Sequence, residues 1–316
     1  MAYNKFTPTQ ITVGATGAWT DVDLDTYITV PANASTVYLR IVTIDNGINY
    51  AFGVRKNGST DNRTTAIRRG GREGAVIGID AGNIFEAYTG NETDINIYIV
   101  GVSTDDAVML TNGTLKTIAS GSWVDIDISA DSGADTATGA FLEWIATAAY
   151  GARKNGSTDN RVQIADSHVF TCCGVDGSEI MEAFRTSGDN SPYLIGYIKS
   201  DATFNTNAPD ISTATTGSYV DLTALTTGAV AGIIEISGAG NYALRQNGAT
   251  DDHYAAPGGG GGTHAFDFIG ADGSYLIEGK ISATTVDFFE IGIFTGAAGG
   301  KTPYLPWQSL APIVAQ

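Results

Sequence analysis

Nine residues, Arg55-Lys56-Asn57-Gly58-Ser59-Thr60-Asp61-Asn62-Arg63, return letter for letter from Arg153 to Arg161. A third copy, Arg245-Gln246-Asn247-Gly248-Ala249-Thr250-Asp251-Asp252-His253, keeps five of the nine positions. Two identical nine-letter words in 316 residues mark internal duplication, so the chain must be built from one unit used more than once. An aromatic stands shortly before each copy: Tyr50, Tyr150 and Tyr242. Asn-Gly is the strongest short hairpin signal, because both residues tolerate the positive φ of a type I′ turn. This predicts hairpin tips at Asn57-Gly58, Asn155-Gly156 and Asn247-Gly248, with Tyr50 to Val54 as an incoming strand. Ser59, Thr60 and Asp61, and Asp159 and Asp251 in the later copies, are expected to fold back onto the backbone after the turn. Arg55, Arg153 and Arg245 precede the turn, where a guanidinium bridges carboxylates of a neighbouring strand. The word reads either as a ligand-binding loop or as a hairpin that locks a sheet in register. Turn chemistry is mostly architectural, which favours the second reading.

The duplication is longer than the word. Each copy opens on a Gly-x-aromatic-x-Asp strand, at Gly17 to Asp21, Gly121 to Asp125 and Gly217 to Asp221. Apolar and polar residues alternate through Val22-Asp23-Leu24 and Ile126-Asp127-Ile128, the period of a strand with one wet face. After the word comes Gly-x-Asp and, six residues past the Asp, a Glu: Asp80 and Glu86, Asp176 and Glu182, Asp272 and Glu278. The three Asp positions are 96 residues apart, twice over. Six or seven short strands per unit of about a hundred residues suit a β-sandwich or jelly roll. The expected fold is therefore all-β, with three tandem sandwiches at 1–107, 108–203 and 204–296, packed in contact, and a Pro/aromatic tail at 297–316. The junctions Ser103 to Asp106 and Asn205 to Pro209 are too short for free linkers. The segments after the word differ: Arg68 to Gly74, Ala165 to Phe170, and Pro257 with five glycines after it. One scaffold with three unlike loops suggests three unlike neighbours, as in a rod or an approximate trimer within one chain.

Forty glycines and 16% charged residues fit short strands and tight turns better than long helices. A net charge of −17 repels phosphate backbones and anionic lipid, so nucleic acid and membrane are not expected partners. The exception, Arg68-Arg69-Gly70-Gly71-Arg72, suits an acidic protein surface or a solvated loop. The two cysteines, Cys172 and Cys173, are adjacent and poorly placed to bridge each other. The N-terminal residues lack the apolar core of a signal peptide, so synthesis in a cytoplasm is expected.

Asp80 with Glu86, and its later copies, is the first catalytic possibility, since a glycosidase sets two carboxyls about 5–10 Å apart. Asp after Gly is also ordinary turn chemistry, and Glu86 lies in an alternating strand. An ion pair of Arg55 with Asp80 or Glu86, of Arg153 with Asp176 or Glu182, and likewise in the third copy, is the structural reading. His168 near Cys172 lacks a third member for nucleophilic chemistry. His253, His264, Asp251 and Asp252 occur together in one copy only, which argues against zinc. The Asp45-Asn46-Gly47 and Asp189-Asn190 loops lack a spaced calcium ligand set. No catalytic residue, metal or cofactor is expected.

The stretch Tyr…Arg-Lys-Asn-Gly-Ser-Thr-Asp-Asn-Arg with the later Gly-x-Asp resembles repeats of bacteriophage structural proteins. The resemblance implies a β-rich, non-enzymatic virion component made in the host cytoplasm, of capsid decoration, fibre or tail-associated type. It implies other virion proteins as partners and a multi-copy or homo-oligomeric assembly. The alternative is a carbohydrate-binding adhesin of a phage fibre, with Trp19, Trp123 or Trp144 as stacking platforms for a host-surface glycan.

Overall fold

Alternation with period two becomes strand after strand. Ile84–Thr89, for example, buries Phe85, Ala87 and Thr89 and leaves the residues between them half-exposed. The computed structural model describes residues 3–14, 16–44, 47–104, 107–146, 148–164, 167–186, 191–257 and 264–296. The Pro/aromatic tail, Gly258 to Gly262, Asp45-Asn46 and Asp189-Asn190 lie outside the described residues.

The first eight strands are β1 (Tyr3–Ile11), β2 (Trp19–Asp23), β3 (Ala34–Thr43), β4 (Tyr50–Lys56), β5 (Thr65–Ile67), β6 (Gly71–Gly78), β7 (Ile84–Thr89) and β8 (Ile95–Thr104). They form an inner sheet in the order β1-β8-β3-β6 and an outer sheet in the order β2-β7-β4-β5. Both sheets are antiparallel within this group, and the order is that of an eight-stranded jelly roll.

The next eight are β9 (Ala107–Leu115), β10 (Val124–Asp127), β11 (Gly139–Ala146), β12 (Ala149–Lys154), β13 (Gln163–Ile164), β14 (Ser167–Gly174), β15 (Ile180–Arg185) and β16 (Tyr193–Ile198). Their sheets, β9-β16-β11-β14 and β10-β15-β12-β13, repeat the same order. The last are β17 (Ala202–Phe204), β18 (Val220–Asp221), β19 (Ala229–Ser237), β20 (Tyr242–Gln246), β21 (Ala256–Pro257), β22 (His264–Gly270), β23 (Ile277–Ile281) and β24 (Asp287–Thr295). The inner sheet β17-β24-β19-β22 matches the other two, while the outer sheet keeps only β18-β23-β20. Strand β21 instead runs parallel to β6 of the first group, with Ala256 opposite Gly71 and Pro257 opposite Arg72.

Each pair of sheets closes on its own apolar core. In the second sandwich Ile126, Ala152 and Met181 of the outer sheet meet Leu142, Trp144, Val169 and Leu194 of the inner one. In the third, Leu222, Leu244 and Ile277 meet Ile234, Ile236 and Ile269. A further apolar mass lies between the sandwiches, because the inner sheets also bury their second faces. Tyr38, Phe141 and Phe268, one from each sandwich, form a ring cluster with centroids 4.8 to 6.4 Å apart. Such pairs contribute about 0.5–1.5 kcal/mol each beyond area burial. The strands β6, β14 and β22, each last in the inner sheet of its own sandwich, touch pairwise, so these sheet ends shield one another at the centre.

Candidate functional site: the repeated word joins neighbouring sandwiches

The word opens with a tight turn in which the amide of Ser59 donates to the Lys56 carbonyl, repeated as Ser157 to Lys154 and Ala249 to Gln246. Only the glycine takes positive φ, at 78°, 79° and 78° for Gly58, Gly156 and Gly248. The expected type I′ tip is therefore corrected: Asn57, Asn155 and Asn247 keep negative φ, as in a type II turn. Nor is the turn a hairpin tip, since it begins the longer loop from β4 to β5. The side chain of each Asn is tied down instead. Asn57 Nδ2 donates to Asp80 Oδ2 at 2.7 Å, Asn155 to Asp176 at 2.7 Å and Asn247 to Asp272 at 2.9 Å.

The arginine takes the other carboxylate. Arg55 Nε and Nη2 grip both oxygens of Glu86, Arg153 grips Glu182 in the same way, and Arg245 Nε reaches Glu278 at 2.7 Å. These pairs sit opposite one another in register across the outer sheet. Each guanidinium also covers an aromatic ring: Trp19 at 4.2 Å, Trp123 at 4.0 Å and Tyr219 at 3.5 Å. The ring's polar end returns to the word, Trp19 Nε1 to Asn62, Trp123 Nε1 to Asn160 and Tyr219 Oη to Asp252. Asp80 and Glu86 thus serve separate partners. The amides of Gly82 and Ile84 and the side chain of Asn57 hold the Asp80 carboxyl below its ordinary range, against a desolvation effect that opposes them. Trp144 is fully buried, with Nε1 donating to Thr171 Oγ1.

The far end of the word leaves its own sandwich. Ser59 Oγ does fold back, accepting from the Asp61 amide, but Thr60 and Asp61 point outward to the next unit. Asn112 Oδ1 of β9 accepts from Ser59 Oγ, the Thr60 amide and Thr60 Oγ1, while Asp61 Oδ2 accepts from the Gly113 amide. Asn207 does the same for Ser157 and Thr158, and Asp159 accepts from the Ala208 amide. The junction containing Asn207 is thus part of a latch. Lys56 Nζ donates to the Met109 carbonyl at 3.1 Å, and Lys154 Nζ to that of Phe204 at 3.3 Å.

The last residue of the word reaches deepest. Arg63 pairs with Glu143 of β11 at 2.6 Å and stacks over Tyr193; Arg161 pairs with Glu235 of β19 at 2.6 Å and stacks over Phe289. Glu143 and Glu235 are 1% and 2% exposed at their side chains, and each also receives a buried histidine, His168 or His264. An aromatic of the preceding sandwich covers each histidine: Phe52 lies at 5.8 Å from His168, and Tyr150 stacks at 4.8 Å on His264. Register shows that Phe52, not Tyr50, corresponds to Tyr150 and Tyr242, because each stands three residues before the paired arginine.

The third sandwich meets the first by the same surfaces with different chemistry. Arg40 of β3 takes the register place of Glu143 and Glu235, and Asp251 and His253 of the word approach it at 3.0 Å. Arg72 takes the place of His168 and His264. It binds Asp267 and the carbonyls of Leu244 and His253, with Tyr242 beside it. Arg72 is thus drawn inward, which corrects the expectation that Arg68 to Arg72 is a surface loop; Arg69 alone of these arginines is exposed. Burial, then the charges of Arg40 and Arg72, pushes His253 down to about 4.

The remaining reactive types are occupied or sealed. Burial pushes the thiols up, Cys173 to about 12 and Cys172 well above the ordinary range. His168 is bound to Glu143 and to the Phe52 carbonyl and does not serve Cys172. No group of three potential metal ligands occurs among the described residues. The word's termini Arg63 and Arg161 and their partners Glu143, Glu235, Asn112 and Asn207 were not visible as a site in sequence. Their pairing depends on which strand of the next sandwich lies beside the loop. No protein-family model matches the chain, and no curated protein matches it.

Proposed function

We propose that the protein is a non-enzymatic structural component of a bacteriophage virion, a capsid decoration protein or another surface or tail-associated protein. The observation that carries this reading is the use of the repeated word. The charged and hydroxyl side chains of its second half hold one sandwich to the next, and the recurring Asp and Glu of each copy serve separate structural partners. A chain that invests its repeated polar residues in rigidity suits a load-bearing role. The candidate stacking platforms weaken the adhesin alternative: Trp144 is buried, and Trp19 and Trp123 each carry a guanidinium over the ring.

A partner contact also has a place to form. Ile44 and Ile48 are 45% and 53% exposed, and Gly47 and Asn49 on either side of Ile48 line a surface dip with Arg68 and Arg69. Exposed apolar side chains of this kind suit a contact with a neighbouring protein. The test is mass spectrometry of purified virions. Stoichiometric copy number against the major capsid protein is the expected result, and absence from particles overturns the reading.

A further inference from the structure

The three contacts between sandwiches share one geometry and two chemistries. From sandwich one to two, and from two to three, the word supplies cations and the receiving inner sheet supplies a buried carboxylate. Arg63 meets Glu143 and Arg161 meets Glu235. From sandwich three to one, the signs are exchanged. The receiving sheet supplies Arg40 and Arg72, the word ends on His253 where the other copies have Arg63 and Arg161, and Asp251, held by the other copies as Asp61 and Asp159, turns with Asp267 to these arginines.

The exchange extends beyond one pair. At the word's second position Lys56 and Lys154 donate across the first two contacts, whereas Gln246 stands there in the third. The lysine has moved to the other partner: Lys5 occupies the register place of Met109 and Phe204, and its Nζ donates back to the Ala271 carbonyl. The hydroxyl–asparagine latch is lost on both sides, since Ala249 replaces Ser59 and Ser157, and Pro8 stands where Asn112 and Asn207 do in their units. Both residues line a cavity of about 40 Å³ at this contact, together with Lys5, Arg40 and Asp251. Strand β21 adds a parallel pairing to β6 there.

Paired changes on facing surfaces mean that neither surface fits the other two contacts. A word ending in Asp251 and neutral His253 would leave Glu143 or Glu235 without a cation, and Arg40 would face Arg63 or Arg161. Burying unpaired or like charges in this way is strongly unfavourable. We propose that the contact of sandwich three with sandwich one is a charge-reversed recognition surface that makes these two exclusive partners. The chain therefore closes as a ring in a single order.

The test is a charge-swap cycle in the full chain. Arg40→Glu and Asp251→Arg are made singly and together, with Glu143→Arg plus Asp251→Arg as a mismatched control. Each single substitution is expected to lower the melting temperature by roughly 5–10 °C. The Arg40→Glu/Asp251→Arg protein should recover at least half of that loss, and the mismatched protein none. Hydrogen exchange locates the effect. The Ala256 amide, which donates to the Gly70 carbonyl, should exchange faster in the single variants and slow again in the swap, while the Thr60 amide on Asn112 stays protected in these three proteins. Single variants that melt like the parent overturn the proposal. So does a swapped protein that melts no higher than the weaker single variant or fails to fold, and so does equal rescue by the mismatched control.

Discussion

Arg63 and Glu143 lie 80 residues apart in sequence and meet at 2.6 Å across the contact between the first and second sandwiches. The arginine is 13% exposed and the glutamate 1%. Their relationship gives the repeated word a role different from that of a turn: it is the arm by which one unit holds the next.

Removing that arm should matter more than removing the pair within a sandwich. Arg63→Ala leaves Glu143 buried with only His168, and a loss of about 3–5 kcal/mol is expected. Arg55→Ala releases Glu86, which at 14% exposed reaches water where Glu143 does not, so a smaller loss of about 1–2 kcal/mol is expected. Urea denaturation of the two variants checks the order. A larger loss for Arg55→Ala would place the main anchor within the sandwich.

The asparagine latch gives a prediction in both directions. Asn112→Ala strands the Thr60 amide and two hydroxyls, with an expected loss of about 2 kcal/mol. Asn207→Ala should cost about the same, because its three bonds are equivalent. Installing the latch at the third contact by Pro8→Asn with Ala249→Ser should add about 1 kcal/mol, and either substitution alone should add nothing. Thermal melting of the set is sufficient.

Two groups give opposite pH dependence. Burial raises the Glu73 carboxyl well above its ordinary 4.5, so folding favours its protonated form. Its contribution is fully present below the unfolded value and is lost as pH rises through the folded value. His253 is depressed from 6.5 to about 4, so its neutral form folds; stability is complete above 6.5 and lost as pH falls toward 4. Glu73→Gln should flatten the loss on the alkaline side and stabilise at neutral pH. His253→Gln should flatten the loss between 6.5 and 4. Denaturation curves at a series of pH values separate the two.

Cys172 and Cys173 should resist alkylation in the native protein. Both are buried and their thiols are pushed up, so the reactive thiolate is scarce as well as shielded. Iodoacetamide labelling should follow unfolding, with native-state labelling at least 100-fold slower than in denaturant. Comparable rates in the two states would show that β14 opens readily.

Glycines offer a test of close approach between the sandwiches. A Cβ on Gly74 would lie 2.5 Å from the Phe266 carbonyl oxygen, which belongs to backbone and has no soft side chain to yield. Gly74→Ala should therefore destabilise by about 1–3 kcal/mol, a typical overpacking cost. The Ala substitution at Gly177, which has nothing within 4 Å, is the control and should be neutral by melting.

Much of this molecule is written locally. Period-two alternation specified β-strands, as in Ile84–Thr89, because a strand presents successive side chains to opposite faces. The recurring Gly-x-Asp and Glu specified the pairs inside each sandwich, since Arg55 and Glu86 lie on adjacent strands in register. Two local expectations were refined by backbone geometry: the Asn-Gly pair uses positive φ at glycine alone, and Asp80 serves Asn57 while Arg55 takes Glu86. Tertiary structure alone decided what the end of the word touches. Arg63 and Arg161 look like ordinary turn-flanking charges until β11 and β19 bring Glu143 and Glu235 beside them. Arg72 looks like a surface arginine until Asp267 draws it in. The physical reason is the range of the interactions. Strand periodicity and turns are set by neighbours within a few residues, whereas a buried ion pair forms only where two distant sheets exclude water together.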